Sequence, residues 1–128
     1  MFLTKAIRFN ETYPHRHIIR LREDVYEQAI AGDGFARMTL AHEVGHLLEH
    51  SDAPLAMARR PASDAVPAYR GSEWQANAFA GALLMPACRI VDMGEPSIAS
   101  KYQVSITAAT LQKRKMQELA DNWTLPQL

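Results

Sequence analysis

The stretch MTLAHEVGHLLEH, Met38–His50, carries two histidines four residues apart, with a glutamate directly after the first. A helix turns 100° per residue, so His42 and His46 are separated by about 40° and lie one turn apart on the same face. Aliphatic residues fill an arc on the opposite side of this helix. These residues are Leu40, Ala41, Val44, Leu47 and Leu48. The pattern therefore predicts an amphipathic helix over 35–50.

The spacing of the two histidines suits one metal ion, with zinc–nitrogen distances of about 2.0–2.1 Å. Glu43 lies about 60° beyond His46 on the helical wheel, so its carboxylate can reach an atom bound to the metal without being an obvious ligand. This is the H-E-x-x-H pattern of zinc peptidases, in which the glutamate is the general base. Surface helices also carry His and Glu for solvation alone. Gly45 favours the metal interpretation, because a mid-helix glycine costs roughly 1 kcal/mol and indicates that another backbone passes close by.

A catalytic zinc site needs a third protein ligand, and three residues compete for that role. His50 is more simply interpreted as a residue that interacts with the carbonyl groups at the helix end. Asp52 stands where a related zinc-peptidase pattern has its third ligand, but that pattern needs a glycine where this chain has Glu49. Glu73 begins the stretch EWQANAFAGALLMP on a second helix, predicted over 72–85 with a serine as its N-cap. We favour Glu73.

Two features of this second helix favour Glu73 as the ligand. Ala80 and Gly81 share its wheel face and would allow a close approach to the Gly45 side of the first helix. Asn77, one turn after Glu73, is placed to accept a hydrogen bond from the second ring nitrogen of a ligand histidine. The sequence thus predicts one zinc ion per chain, bound by two histidines and Glu73.

The remainder of the chain predicts a single α+β domain that is mostly helical, as its 128 residues allow. Residues 1–34 predict a small β-sheet with strands at 7–9 and in HIIRL, a turn at NETYP, and a short helix over 24–31. Residues 97–120 predict two helices broken at QVS, with Ser105 as the cap of the second.

The composition excludes several classes of protein. The chain has 14 basic and 14 acidic residues, so a nucleic-acid surface as its main device is disfavoured. The single cysteine, Cys88, excludes an internal disulfide and a cysteine-only zinc site. No signal peptide is evident, and the most apolar stretch, AFAGALLMPAC, is too short for a membrane span. These observations favour a soluble cytoplasmic protein that has no membrane partner.

Two stretches, ARMTLAHEVGHLL and SEWQANAFAGALLMP, together resemble the ImmA/IrrE family of bacterial and phage zinc metallopeptidases. The family pattern is T-x-A-H-E-x-G-H followed by E-x-x-A-N-x-F-A-x-x-L-L-M-P. The tail SKYQVSITAATLQKRKMQEL is similar to the family's closing helix-turn-helix-like segment. The resemblance implies a zincin-like, metalloprotease-like domain with His42, His46 and Glu73 on zinc and Glu43 as the base. It also implies cleavage of a helix-turn-helix transcriptional repressor of phage, mobile-element or stress-response genes.

The expected mechanism is the attack of water on a peptide carbonyl while Glu43 takes the proton of that water. The strand HIIRL is expected to offer its edge to an extended substrate. Two other classes stay open: a metal-binding pseudoenzyme that docks a transcriptional regulator without cleaving it, and an adapter that uses the tail to bind DNA. The candidates for stabilising the anionic oxygen are Tyr69, Arg70, Tyr102 and His50.

Overall fold

The computed structural model describes three stretches of the chain, residues 2–4, 10–50 and 68–122. Within them the protein is mostly helical, with a small sheet at the N-terminal end, as the α+β prediction requires. None of the helices described there has the length and the hydropathy to cross a bilayer. The elements are β1 (Phe2–Thr4), β2 (Glu11–Tyr13), β3 (Ile18–Arg22), α1 (Glu23–Ile30), α2 (Gly34–His50), α3 (Ala68–Leu84), α4 (Ala87–Ile90), α5 (Glu95–Tyr102) and α6 (Ile106–Asn122).

The strand predicted in HIIRL is β3, which lies one residue further along the chain at each end and in the centre of the sheet. It runs parallel to β1 on one side and antiparallel to β2 on the other. Ile19 and Leu21 are buried and alternate with exposed Arg20 and Arg22, as the period-2 pattern predicts. Both edges of β3 are hydrogen-bonded, so the expectation that HIIRL offers a free edge to a substrate is wrong. Among the described residues, β2 has an open edge that faces away from β3.

The predicted turn at NETYP is also wrong in its position. Residues Glu11–Tyr13 of this segment form β2, and the turn follows as a single 3-10 turn over Pro14–Arg16. His17 closes that turn in a left-handed conformation, with φ of 53°, and its N–H donates to the carbonyl of Pro14 at 3.1 Å. Threonine and tyrosine favour strands, while Asn10 and Pro14 on either side of them are turn formers. The strand predicted at 7–9 lies outside the described residues.

The helix that carries the histidines, α2, begins where an aspartate caps it. The Asp33 carboxylate accepts a hydrogen bond from the N–H of Ala36 at 2.9 Å. Gly34, at the first position, lies against the turn between α5 and α6. A Cβ there would stand 2.5 Å from the backbone nitrogen of Ser105 and 2.6 Å from the carbonyl carbon of Val104. Only glycine allows this approach of two backbones, so the N-terminus of α2 and the tail are in direct contact.

The second long helix, α3, begins four residues earlier than predicted. Ser72 therefore lies inside the helix and is not its N-cap. The sequence from Ala68 to Ser72 holds no proline, so the helix is able to continue upstream of the serine. Pro86 follows the end of α3, as predicted, and α4 after it is a single short turn that ends at Ile90, before the predicted end at Met93.

The tail forms two helices, α5 and α6, which meet at the predicted break. Gln103 adopts a left-handed conformation there, with φ of 52°. The predicted cap is confirmed, because the Ser105 hydroxyl accepts a hydrogen bond from the N–H of Ala108 at 3.0 Å. The two helices join the end of α3 in one apolar cluster. Its buried members are Met85, Ile90, Ile98, Val104 and Ala109.

Candidate metal centre

The contact that brings the two site helices together is at Gly45 of α2. A Cβ at this position would lie 3.0 Å from the ring of Phe79 and 3.2 Å from both Cα and O of Ala76, on α3. Ala76 is completely buried. The close approach at Gly45 is as predicted, but the residue opposite it differs: Gly81, which the sequence placed there, faces α6 instead.

Three side chains from these helices meet at the surface of the α2–α3 pair. His42 Nε2 and His46 Nε2 are 3.0 Å apart. The carboxylate of Glu73 reaches both, with Oε2 3.0 Å from His42 Nε2 and Oε1 2.9 Å from His46 Nε2. All three groups are thus within reach of one ion. The histidines are half-buried, whereas Glu73 is exposed.

The donor atoms of this cluster fit a cation. Asn77 Oδ1 lies 2.7 Å from His42 Nδ1, and a carbonyl oxygen only accepts, so Nδ1 carries a proton and Nε2 of neutral His42 presents its lone pair to the cluster. In this tautomer the Nε2 lone pair of His42 faces the Glu73 carboxylate oxygen 3.0 Å away. A positive ion between the groups would replace this repulsion by coordination.

The spacing of the donor atoms is compatible with zinc. Imidazole nitrogen and carboxylate oxygen are ligands that zinc takes in catalytic sites, with bonds of about 2.0–2.2 Å. Two ligands of a tetrahedral ion at this distance stand roughly 3.3 Å apart, close to the separations of 2.9–3.0 Å found between the three groups. Asn77 would then be the outer partner that orients His42, as such ligands usually have.

Glu43 lies beside the cluster and is buried, with 7% of its surface exposed. Its carboxylate oxygen Oε2 accepts a hydrogen bond from the hydroxyl of Thr12 on β2. A buried carboxylate needs such donors, because it has lost its hydration. Glu43 also lines an open cleft of about 560 Å³ together with His46, Glu73 and the three residues of β2. One side of the Glu43 carboxylate is therefore held by β2, and the residue as a whole borders the space in front of the cluster.

Thr12 was missed by the sequence reasoning. A strand of three residues is too short for a period-2 signal, and the turn-forming residues around it suggested a loop. The available signal was the preference of threonine and tyrosine for strands.

Of the candidates for stabilising an anionic oxygen, the structure describes the side chain of Tyr102 alone, and it does not line the cleft. Tyr102 packs on the apolar cluster of the tail, and its buried hydroxyl has no hydrogen-bond partner among the described residues. The ring lies there because α5 ends at this residue, against the cluster. Tyr69 and Arg70 belong to the first turn of α3 and His50 to the end of α2, with side chains outside the described part of the structure. Asp52, the rival ligand, also lies outside it.

Comparison with known proteins gives one match. The family model of the peptidase M78 group, described as the IrrE N-terminal-like domain, matches residues 9–114. That range contains both helices of the candidate metal centre and the strand that holds Glu43. No curated protein and no solved structure matches the chain.

Proposed function

The chain belongs to the peptidase M78 family of IrrE N-terminal-like domains, and on this basis we propose that it is a zinc-dependent endopeptidase. The membership confirms the resemblance drawn from the two sequence motifs. The observation that carries the proposal is the convergence of His42 Nε2, His46 Nε2 and the Glu73 carboxylate within about 3 Å of one another, next to a buried glutamate. We further propose that the whole chain is one zincin-like domain and that α5 and α6 form a helix-turn-helix-like tail.

Zinc at this centre would polarise the substrate carbonyl and lower the pKa of a water molecule toward about 7. Glu43 takes the proton of the attacking water and passes it to the leaving amine. Its placement supports this role, because the carboxylate stands beside the ligand atoms and borders the cleft. The Thr12 hydroxyl holds Oε2, which leaves Oε1 to receive the proton.

The substrate is proposed to bind as an extended chain along β2. The residues of this strand line the cleft, and among the described residues its edge away from β3 is unpaired, whereas β3 is paired on both sides. Backbone N–H and C=O groups of a peptide can pair with such an edge whatever the peptide's sequence. An exposed linker of a folded protein meets this requirement, because it can extend without unfolding a domain. We propose a helix-turn-helix transcriptional repressor as the protein that carries this linker, in line with the ImmA/IrrE resemblance.

The experiment compares Glu43→Gln and Glu73→Ala with wild-type protein. Zinc content is measured by elemental analysis, and cleavage of a helix-turn-helix repressor encoded nearby is followed by mass spectrometry of the fragments. Glu43→Gln should keep one zinc per chain and lose about 10²–10⁴-fold in cleavage rate, because it removes the base and leaves the ligands. Glu73→Ala should lose zinc affinity and, with it, cleavage.

The matched control is Glu118→Gln, an exposed glutamate on α6, which should equal wild type in both measurements. Equal fragmentation by wild type and Glu43→Gln would remove Glu43 from the mechanism. An intact repressor that binds both forms tightly would favour the alternative, a metal-binding pseudoenzyme or adapter that docks a regulator without cleaving it. Protein that contains no transition metal would contradict the zinc site itself.

A further inference from the structure

The candidate metal centre lies between two pockets that differ in chemistry. The first is the cleft of about 560 Å³ in front of β2, here called the polar arm, which includes His46 and Glu73. The second, here called the apolar arm, is a groove of about 500 Å³ among α2, α3 and α6, and it includes His42 and Asn77. Each arm includes one of the two histidines, whose Nε2 atoms are 3.0 Å apart, so both arms border the candidate metal centre. Each has a volume typical of a ligand site.

The apolar arm is walled by large apolar side chains that remain exposed. Phe35 and Met38 come from the same face of α2 as His42, because these residues are separated by three or four positions. Leu111 lines the groove from α6. Phe35 is 76% exposed and Leu111 is 47% exposed. Large apolar side chains grouped along one groove are typical of an interaction site.

Two polar groups in the apolar arm can orient a bound peptide. Lys115 lines the groove, and none of the ion pairs among the described residues includes its ammonium group. This group can therefore pair with an acidic side chain of a ligand. Asn77 uses its oxygen to accept from His42, which leaves the amide nitrogen to donate to a peptide carbonyl. A groove with an apolar wall, a basic group and one amide donor complements a peptide with a large apolar side chain and a nearby carboxylate.

We propose that the apolar arm binds the substrate polypeptide on one side of the bond that is cut. A large apolar side chain lies between Phe35 and Leu111, and an acidic side chain close to it pairs with Lys115. The inference rests on the proposed peptidase function, since it takes the same metal centre as the point where the chain is cut. It adds that the substrate is recognised differently on the two sides of the cut. The polar arm binds the substrate backbone along β2, and the apolar arm selects substrate side chains.

The test is a cleavage profile on a mixture of peptides prepared by digesting a bacterial proteome. Zinc-loaded protein is added, and the new chain ends are sequenced by mass spectrometry. On one side of the cut, wild type should enrich Leu, Met or Phe together with Asp or Glu. Lys115→Glu should reduce the acidic preference about tenfold or more, and Leu111→Asp should reduce the apolar preference by about 10-fold to 100-fold, as expected for a buried aliphatic side chain.

Two residues of the same helix provide matched controls. Arg114→Glu makes the same change of charge as Lys115→Glu at the neighbouring position, and Leu119→Asp makes the same change of polarity as Leu111→Asp. Neither Arg114 nor Leu119 lines the apolar arm. Both controls should keep the wild-type profile. Zinc content and melting temperature, measured for all four variants, should stay at wild-type values because the changed side chains are outside the ligand set. Cleavage by Lys115→Glu and Leu111→Asp with an unchanged profile would overturn the inference and leave the peptidase intact.

Binding separates the failure of the groove from the failure of the peptidase. An array of fifteen-residue peptides, some with and some without an apolar–acidic pair, is probed with Glu43→Gln protein and with the same protein carrying Lys115→Glu. One outcome is that the protein binds these peptides selectively, that Lys115→Glu weakens this binding about tenfold, and that wild type cleaves none of them. This outcome would overturn the proposed peptidase activity and support peptide binding in the apolar arm. Neither binding nor cleavage would overturn both. A wild-type dimer that Leu111→Asp dissociates, with no change in peptide preference, would assign the groove to a second copy of the chain instead.

Discussion

Replacing Gly45 with alanine tests the contact that holds the two helices of the metal centre together. The new Cβ would lie 3.0 Å from Cδ1 of Phe79 and 3.2 Å from both Cα and O of Ala76. The Phe79 ring is able to turn away. The Ala76 atoms belong to the backbone of a buried part of α3, so relief requires the whole helix to move by a few tenths of an ångström. Glu73, one turn earlier on α3, moves with it.

Two opposing effects set the size of the change. Alanine is better than glycine in a helix interior by about 1 kcal/mol. Overpacking of a close contact costs about 1–3 kcal/mol. The free energy of unfolding of the metal-free protein should therefore fall by about 0–2 kcal/mol. Because Glu73 would shift relative to the two histidines, we also expect zinc affinity to fall on the order of tenfold.

Gly81→Ala is the matched control, since it adds the same methyl group to a glycine inside a helix. Its Cβ would meet the end of the Gln112 side chain, which is free to swing away. The cost is the hydrogen bond of 3.4 Å from Gln112 Nε2 to the Met85 carbonyl, worth about 1 kcal/mol or less. The free energy of unfolding should stay unchanged or rise by about 1 kcal/mol.

Urea unfolding of chelator-treated protein measures the first quantity, and competition with a zinc chelator of known affinity measures the second. Gly45→Ala should be less stable than Gly81→Ala by up to about 3 kcal/mol, since the first variant loses about 0–2 kcal/mol and the second gains about 0–1 kcal/mol. If Gly45→Ala is instead more stable than wild type by about 1 kcal/mol, with wild-type zinc affinity, then the helices are not held at this contact and the reasoning fails.

Three further changes test other parts of the site. Asn77→Ala should lower zinc affinity about 10–100-fold by releasing His42, and chelator competition that shows wild-type affinity would contradict it. Thr12→Val should lower kcat for peptide cleavage by about tenfold, because it removes a hydrogen bond to a charged group, and it should leave the zinc content unchanged. Thr12→Ser keeps the hydroxyl and should restore the rate. A serine variant as slow as the valine variant would argue against the positioning of Glu43 by this hydroxyl. Ser105→Ala should lower the free energy of unfolding by about 1 kcal/mol through loss of the helix cap, and an unchanged urea midpoint would contradict that role.

The two helices of the candidate site could be predicted from the sequence because the spacing of their functional residues is local. Histidines at i and i+4 share a face in any helix. The wheel face that holds Glu73 also holds Asn77, and the structure brings both of them to the histidines. A mid-helix glycine at position 45 indicated the close approach of the second helix, although not that Ala76 would be the residue opposite.

The rest could not be predicted because it depends on long-range pairing. The period-2 pattern of HIIRL identifies a strand but not its neighbours, so its central place in the sheet was not visible. Ser72 carries a capping pattern that looks the same at the start of a helix and inside it. Tyr102 is a candidate for catalysis by residue type alone, and only packing shows that its hydroxyl is turned to the tail.

The open edge of β2 also bears on aggregation. An exposed edge offers its backbone groups to any extended chain, including one from a partly unfolded copy of the same protein. Among the described residues this edge is only three residues long, and Pro14, which has no N–H, follows it directly. Two copies would gain few hydrogen bonds from pairing here, so fibre-like growth along the edge is disfavoured. A polypeptide that binds stably to β2 must therefore make further contacts beyond the strand, and this requirement disfavours non-specific partners.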